Sequence, residues 1–208
     1  MTTPLGQLVI DARGDRSVTV SRTTKETRIT VSLALDGSGR TAISTGIGFY
    51  DHMLTAFGHH GLFDLEIRAK GDLEVDEHHT VEDVALVLGA AFNEALGDRA
   101  GIRRYGDAAV PMDESTATAI VDVGGRPYTV VDLPFRGARA GGLPLQLVEH
   151  ALEAFARTSG TTLHLRGTGR NDHHLCEAAY KALGRALRIA CEADPRRTGI
   201  PSTKGALG

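Results

Sequence analysis

Cysteine is scarce in this 208-residue chain, with two in all, and that scarcity rules out a disulfide-stapled scaffold. The two, Cys176 and Cys191, fall on one predicted helix fifteen residues apart, 191 − 176, which is roughly 22 Å at 1.5 Å per residue. They cannot bond to each other across that distance. Long apolar runs are missing, and no apolar stretch follows a basic N-terminal segment, so neither a membrane span nor a secretory leader is expected. A cytoplasmic enzyme is the expectation. An excess of positive charge is missing too: 23 Lys and Arg against 26 Asp and Glu leave a net charge of −3, which disfavours nucleic acid as a partner.

What remains is an ordinary globular composition, 41% hydrophobic and 24% charged, with enough chain for one domain or two small halves packed together. The distinctive feature is a repeated motif. His78-His79-Thr80-Val81-Glu82 recurs as His173-His174-Leu175-Cys176-Glu177, and the offsets 173 − 78 and 177 − 82 are both 95 residues. Two like sets of metal-type ligands, half a chain apart, predict a duplicated architecture and two metal sites.

The surrounding pattern supports the duplication. In the first half, strand-like alternation covers 16–21, 26–35 and 41–45, with Asp36-Gly37-Ser38-Gly39 as a turn, then a helix over 49–57 and a strand over 62–69. Asp76 is placed to cap a helix whose stripe is Val81, Val84, Ala85, Leu88, Ala91, Phe92, Ala95 and Leu96, with Gly97 at its end. The second half repeats the order: strands over 114–123, 127–133 and 161–166, a helix over 145–158, and a final helix capped by Asn171 or Asp172. Echoes recur in register, Asp51-His52 with Glu149-His150 and Ala56-Phe57 with Ala154-Phe155. The expected division is residues 1–97 and 98–195 as two repeats in one unit. A tail, 196–208, is rich in Pro, Gly, Ser and Lys and reads by composition as a loose terminus.

Helix geometry divides the ligands. Residues four apart share a face while adjacent ones diverge by about 100°. His78 with Glu82, and His173 with Glu177, can therefore each chelate one ion, while His79 and His174 point elsewhere. A pseudo-twofold between halves would let each divergent histidine complete the opposite site: His78, Glu82 and His174 in one, His173, Glu177 and His79 in the other. His52 and His150 are candidates for further ligands. Imidazoles and carboxylates without thiolates suit manganese, iron, cobalt or zinc, whereas Cys176 reads as a small core residue. His164 reads as packed in a strand, and His59 and His60 as a helix terminus without a following carboxylate.

These residues resemble the imidazoleglycerol-phosphate dehydratase family of histidine biosynthesis. The resemblance rests on Arg22 with Thr24-Lys25-Glu26-Thr27, Gly48-Phe49-Tyr50-Asp51-His52-Met53-Leu54, His78-His79-Thr80-Val81-Glu82-Asp83, Gly101-Ile102-Arg103-Arg104-Tyr105-Gly106, Pro111-Met112-Asp113-Glu114, Gly125-Arg126-Pro127, Asn171-Asp172-His173-His174 and Pro201-Ser202-Thr203-Lys204-Gly205. It implies an α+β fold, an internal duplication of a half-domain with a four-stranded sheet and helices on one face, of the ribosomal protein S5 domain 2-like type. It also implies two Mn2+ per active site and a 24-subunit homo-oligomer with active sites at subunit interfaces. The implied ligands are His52, His79, His173 and Glu177 on one ion, and His78, Glu82, His150 and His174 on the other. Implied substrate contacts are Glu26, His52, His60, His78, His79, Glu82, Arg104, Arg126, His173, Lys181, Ser202 and Lys204, with the tail joining phosphate binding.

The implied reaction converts imidazole glycerol phosphate to imidazole acetol phosphate, breaking a C–H bond that no carbonyl acidifies. Two cations favour an imidazolate, which expels the neighbouring hydroxyl to give a diazafulvene-like intermediate, and a base, Glu26, then removes the acidified proton. Asp113 and Glu114, at the repeat-equivalent position, are expected to have supporting roles. Rival readings are a two-metal hydrolase and a metal-dependent assembly or storage protein.

Overall fold

The computed structural model describes residues 6–207. The first half runs β1 (Leu8–Gly14), β2 (Ser17–Thr23), β3 (Thr27–Ala34), β4 (Thr41–Ser44), α1 (Gly48–Gly61), β5 (Asp64–Gly71) and α2 (His78–Leu96). The second runs β6 (Tyr105–Met112), β7 (Ser115–Asp122), β8 (Tyr128–Asp132), a short hairpin of β9 (Arg139–Ala140) and β10 (Leu143–Pro144), then α3 (Gln146–Ser159), β11 (Thr162–Thr168) and α4 (Asp172–Cys191). The sheets are ordered β1-β2-β3-β5-β4 and β6-β7-β11-β8. Without β1 the two orders are the same, and each ends in a parallel pair, β4 with β5 and β8 with β11, joined through a helix. The fold is therefore the duplicated α+β half expected from the sequence.

It departs from that expectation in one respect: the first sheet has five strands. β1 lies on the edge and all but Val9 of its residues are exposed, so it carries no period-two burial signal for a reader of the sequence. β6 was also not foreseen: its burial alternates, but Gly106 and Ala108 fill the buried positions in place of large apolar residues, and an edge strand tolerates Pro111. The central strands β3 and β7 alternate buried and exposed, as their β-branched patterns predict.

The buried faces of the sheets meet the helices, which pair across the repeat, α1 with α4 and α2 with α3. Val81, Val84, Ala85, Leu88, Ala91, Phe92, Ala95 and Leu96 are all buried on α2. Phe57, Phe63, Phe92 and Phe155 interlock at the centre, with Phe63 edge-on to Phe92 at 5.0 Å. Two glycines permit the helices to approach closely. A Cβ on Gly184 of α4 would run into the Phe57 carbonyl of α1, and one on Gly89 of α2 into the Phe155 carbonyl of α3. Their separation, 184 − 89, is again 95 residues, so the duplication preserved the crossing together with the histidine motif. Gly184→Ala is expected to destabilise the metal-free protein by about 1–3 kcal/mol, read by denaturant unfolding, because overpacking here displaces backbone rather than a mobile side chain.

The helix starts are held by caps. The Asp76 carboxylate accepts from the His78 N–H at 2.7 Å, and the Asn171 side chain accepts from the His173 and His174 N–H groups at 3.0 and 3.4 Å. Both histidine pairs consequently sit in a fixed first turn. The tail contains no helix or strand among its described residues, yet its base is tied down. Gly101 N–H donates to the Gly199 carbonyl at 2.9 Å, Arg104 Nη1 donates to the Pro201 carbonyl at 2.8 Å, and Pro201 is buried.

Candidate metal centres

Two groups of ligand atoms assemble within the chain, each with its atoms inside 4.8 Å of one another: His52, His173 and Glu177, and His78, Glu82 and His150. Helix pairing dictates the membership. α1 packs on α4, so His52 meets the His173/Glu177 turn; α3 packs on α2, so His150 meets the His78/Glu82 turn. These are also the partners that the family resemblance implies for His52 and His150.

In the first group Glu177 Oε2 lies 3.0 Å from His52 Nε2 and 3.2 Å from His173 Nε2. Phe49 packs edge-on against both rings, at 6.3 and 5.0 Å between centroids. Glu177 is buried, and its other oxygen is 2.7 Å from Lys181 Nζ, one turn along α4. Burial pushes its carboxyl pKa up, but Lys181 and His52 outweigh that and the net shift is downward. His60, at the end of α1, is pulled below the ordinary imidazole value by burial and then by the Lys181 charge.

The second group is built alike. Glu82 Oε2 stands 3.5 Å from His150 Nε2 and 3.9 Å from His78 Nε2, and Arg157 Nη2 takes the place of Lys181, 3.4 Å from Glu82 Oε1. His150 Nε2 is buried without a hydrogen-bond partner. A buried ring nitrogen left unpaired beside a carboxylate and a second imidazole, 4.8 Å between ring centroids, is the state expected of a ligand position. Two imidazoles and one carboxylate in each group fit a divalent first-row cation.

His79 and His174 join neither group among the described residues. The crossing expected of them does not form inside one chain, because α2 packs on α3 and α4 on α1 rather than α2 and α4 on each other. Instead His79 Nδ1 is 3.0 Å from Asp72 Oδ2, with its Nε2 4.0 Å from Glu26 Oε1. His174 Nδ1 is 2.8 Å from Glu114 Oε2, with its Nε2 3.9 Å from Asp113 Oδ2. The hydrogen bond to Asp72 raises the His79 pKa and that to Glu114 raises the His174 pKa, while His174 holds the Glu114 carboxyl well below the usual carboxylate range.

Glu26 occupies the β2–β3 turn, where Thr24 Oγ1 accepts from the N–H of Glu26 at 3.1 Å and of Thr27 at 2.9 Å. The Thr27 hydroxyl donates to Asp83 on α2, and Asp83 also pairs with Arg22. The turn is thus pinned to the helix that carries His78 and His79. Glu26 itself is exposed, its side chain retaining 53% of its accessible surface.

Of the residues that the resemblance implies for phosphate, Lys181 sits against Glu177, whereas Arg104, Arg126, Ser202 and Lys204 lie elsewhere. Arg104 is buried, gripping Asp122 through Nε at 2.7 Å and Nη2 at 2.9 Å while Nη1 fixes Pro201. Pro201 and Gly124, which backs onto the guanidinium, bring the neighbourhoods of Ser202, Lys204 and Arg126 to this corner. The Arg104 N–H donates to the Ala190 carbonyl near the end of α4, seventeen residues (190 − 173) and so roughly 26 Å along the helix from His173. Asp72, Asp122 and Arg157 were not foreseen, since nothing in their local spacing marks them and only the packing brings them to His79, Arg104 and Glu82.

Comparison with known proteins gives consistent results. The family model described as imidazoleglycerol-phosphate dehydratase matches residues 45–187. A protein of that name from Methanoculleus marisnigri is 53% identical over 192 residues, covering 92% of this chain and all of the relative. One from Streptomyces coelicolor is 54% identical over 191 residues, covering 90% and 97%. Among solved structures, the Pyrococcus furiosus enzyme in complex with (S)-C348 superposes with a TM-score of 0.78 at 37% identity, over 90% of this chain and 99% of that one. The enzyme from Staphylococcus aureus gives 0.77 at 36% identity, over 85% and 98%.

Proposed function

Because this chain belongs to the imidazoleglycerol-phosphate dehydratase family and is a hydro-lyase, we propose that it dehydrates imidazole glycerol phosphate to imidazole acetol phosphate between two Mn2+ ions. The observation that carries the reading is the pair of like centres, each of two imidazoles and one carboxylate, set by a single duplication. A substrate whose imidazole has two nitrogens asks for two such centres. Held by His52, His173 and Glu177 and by His78, Glu82 and His150, two cations would supply positive charge to the ring, favouring loss of its N–H proton and departure of the neighbouring hydroxyl.

The chain's own residues do the rest. Glu26, exposed and fixed on the β2–β3 turn beside His79, takes the proton from the carbon adjacent to the one that loses its hydroxyl. Lys181 and Arg157 sit against the outer oxygens of Glu177 and Glu82 and so orient both carboxylates for a cation. Arg104 fixes the tail through Pro201, so that Ser202, Lys204 and Arg126 receive the phosphate.

Two features favour an active site shared between subunits. His79 and His174 join neither ligand group of their own chain among the described residues, and the phosphate corner lies roughly 26 Å along α4 from His173, farther than a short sugar phosphate reaches. A neighbouring copy supplies both, within the 24-subunit assembly that the family resemblance implies. We place the enzyme in the cytoplasm; no helix among the described residues is long and apolar enough to cross a membrane. The rival with a specific prediction is a two-metal phosphohydrolase. Mn2+-loaded protein given imidazole glycerol phosphate should form the ketone phosphate without releasing inorganic phosphate. Release of phosphate would establish the rival, and no product at any metal load would end the proposal.

A further inference from the structure

Glu26 and Glu114 are repeat equivalents. Each precedes the strand that follows its hairpin turn, β3 at Thr27 and β7 at Ser115. Thr27 pairs with Gly71 at the end of β5; a Cβ on Gly71 would meet Thr27 and Thr80, and one on Gly169, just after β11, would meet Ser115. Gly71 and Gly169 therefore correspond, and the residues after them, Asp72 and Arg170, correspond as well. The halves differ at that point: the first has a carboxylate and the second an arginine.

The side chains divide their work accordingly. Asp72 reaches back to His79 Nδ1 at 3.0 Å, and its other oxygen is buried with no hydrogen-bond partner. In the second half no carboxylate occupies the corresponding place, and Glu114 takes His174 Nδ1 at 2.8 Å. Glu114 is then fully occupied: its second oxygen accepts from the Ser115 hydroxyl at 2.9 Å and from the N–H groups of Arg170 and Asn171 at 3.1 and 2.8 Å. Glu26 bears no such load; its nearest partner in the structure is His79 Nε2 at 4.0 Å.

We infer that Asp72 and Glu114 are positioning residues that hold His79 and His174 with Nε2 presented to a cation, and that this division of labour is what releases Glu26, but not Glu114, for proton transfer. A carboxylate on Nδ1 fixes the tautomer with the free electron pair on Nε2 and makes that nitrogen a better donor. The inference rests on the two-metal reading proposed above and adds which carboxylate serves which histidine. It assigns the chemistry to one half of a duplicated site on a local difference, Asp72 against Arg170 at the start of a link that is three residues shorter in the second half.

The test measures Mn2+ binding by chelator competition, alongside metal-free unfolding, for the wild type, Asp72→Asn, Glu114→Gln and Glu26→Gln. Asp72→Asn and Glu114→Gln should each weaken one of the two ions by about 10- to 100-fold and leave the other unchanged. Glu26→Gln should bind both as the wild type does. Wild-type affinity at both sites in Asp72→Asn or Glu114→Gln overturns the inference while leaving the two-metal reading intact. A wild type that binds no Mn2+ overturns that reading and the inference with it. Should an amide variant fail to fold, Asp72→Glu or Glu114→Asp takes its place under the same criterion, since altered reach also breaks the Nδ1 contact.

Discussion

Glu26→Gln should lower kcat by about two to four orders of magnitude, the usual contribution of a positioned general base, while the protein keeps its metals and its assembly. The expectation follows from how the turn is built. Thr24 and Thr27 close it by hydrogen bonds, and Thr27 ties it to Asp83, so an amide at position 26 leaves the backbone undisturbed. The carboxylate makes no structural contact that the amide would forfeit, since its nearest partner is 4.0 Å away. Steady-state kinetics with metal analysis on the same sample checks the claim. Loss confined to KM, or turnover within a few fold of the wild type, would remove Glu26 from the proton transfer.

His52→Ala and His79→Ala should each bring turnover down to the metal-free background, yet a mixture of the two, dissociated and reassembled together, should recover about a quarter of wild-type activity. His52 lies with His173 and Glu177, whereas His79 is held by Asp72 outside that group. If a neighbouring copy presents His79 to the His52 group, one subunit in two carries an intact His52 and one in two an intact His79, so intact combinations arise in about a quarter of sites. If all ligands of a site come from one chain, no combination is intact and the mixture stays inactive. Each variant mixed with itself is the control.

Much of this was legible in the sequence, for identifiable reasons. The strand and helix order repeats because β3 and β7 are buried on one face and show period two, and α2 shows its stripe because one side meets a core. The pairs His78 with Glu82 and His173 with Glu177 are local, set by helix pitch alone. Two edge strands were illegible: β1 is exposed almost throughout, and the buried phase of β6 begins with the small residues Gly106 and Ala108, so its rhythm does not show as apolar alternation. From helix pitch alone, His52 and His150 could not be assigned to one ion or the other, because that depends on which helices pack. The signal was present all the same, in Gly89 and Gly184, small residues inside helices at the 95-residue offset, where α2 meets α3 and α4 meets α1. The repeat marked Glu114 for a supporting role but not His174 as its partner, and Asp72 had no signal, because the carboxylates come from unequal places in the two halves, one after β5 and one before β7.

The central claim is that two divalent ions, held by the two groups of one duplication, make the substrate's ring reactive. Stripping the protein with a chelator and titrating Mn2+ back, with ketone formation followed at each step, tests it most directly. The account predicts no turnover in the stripped protein and a rise that reaches its plateau at two ions per subunit, one for each group. Full turnover without metal, or a plateau at a single ion per subunit, would contradict it.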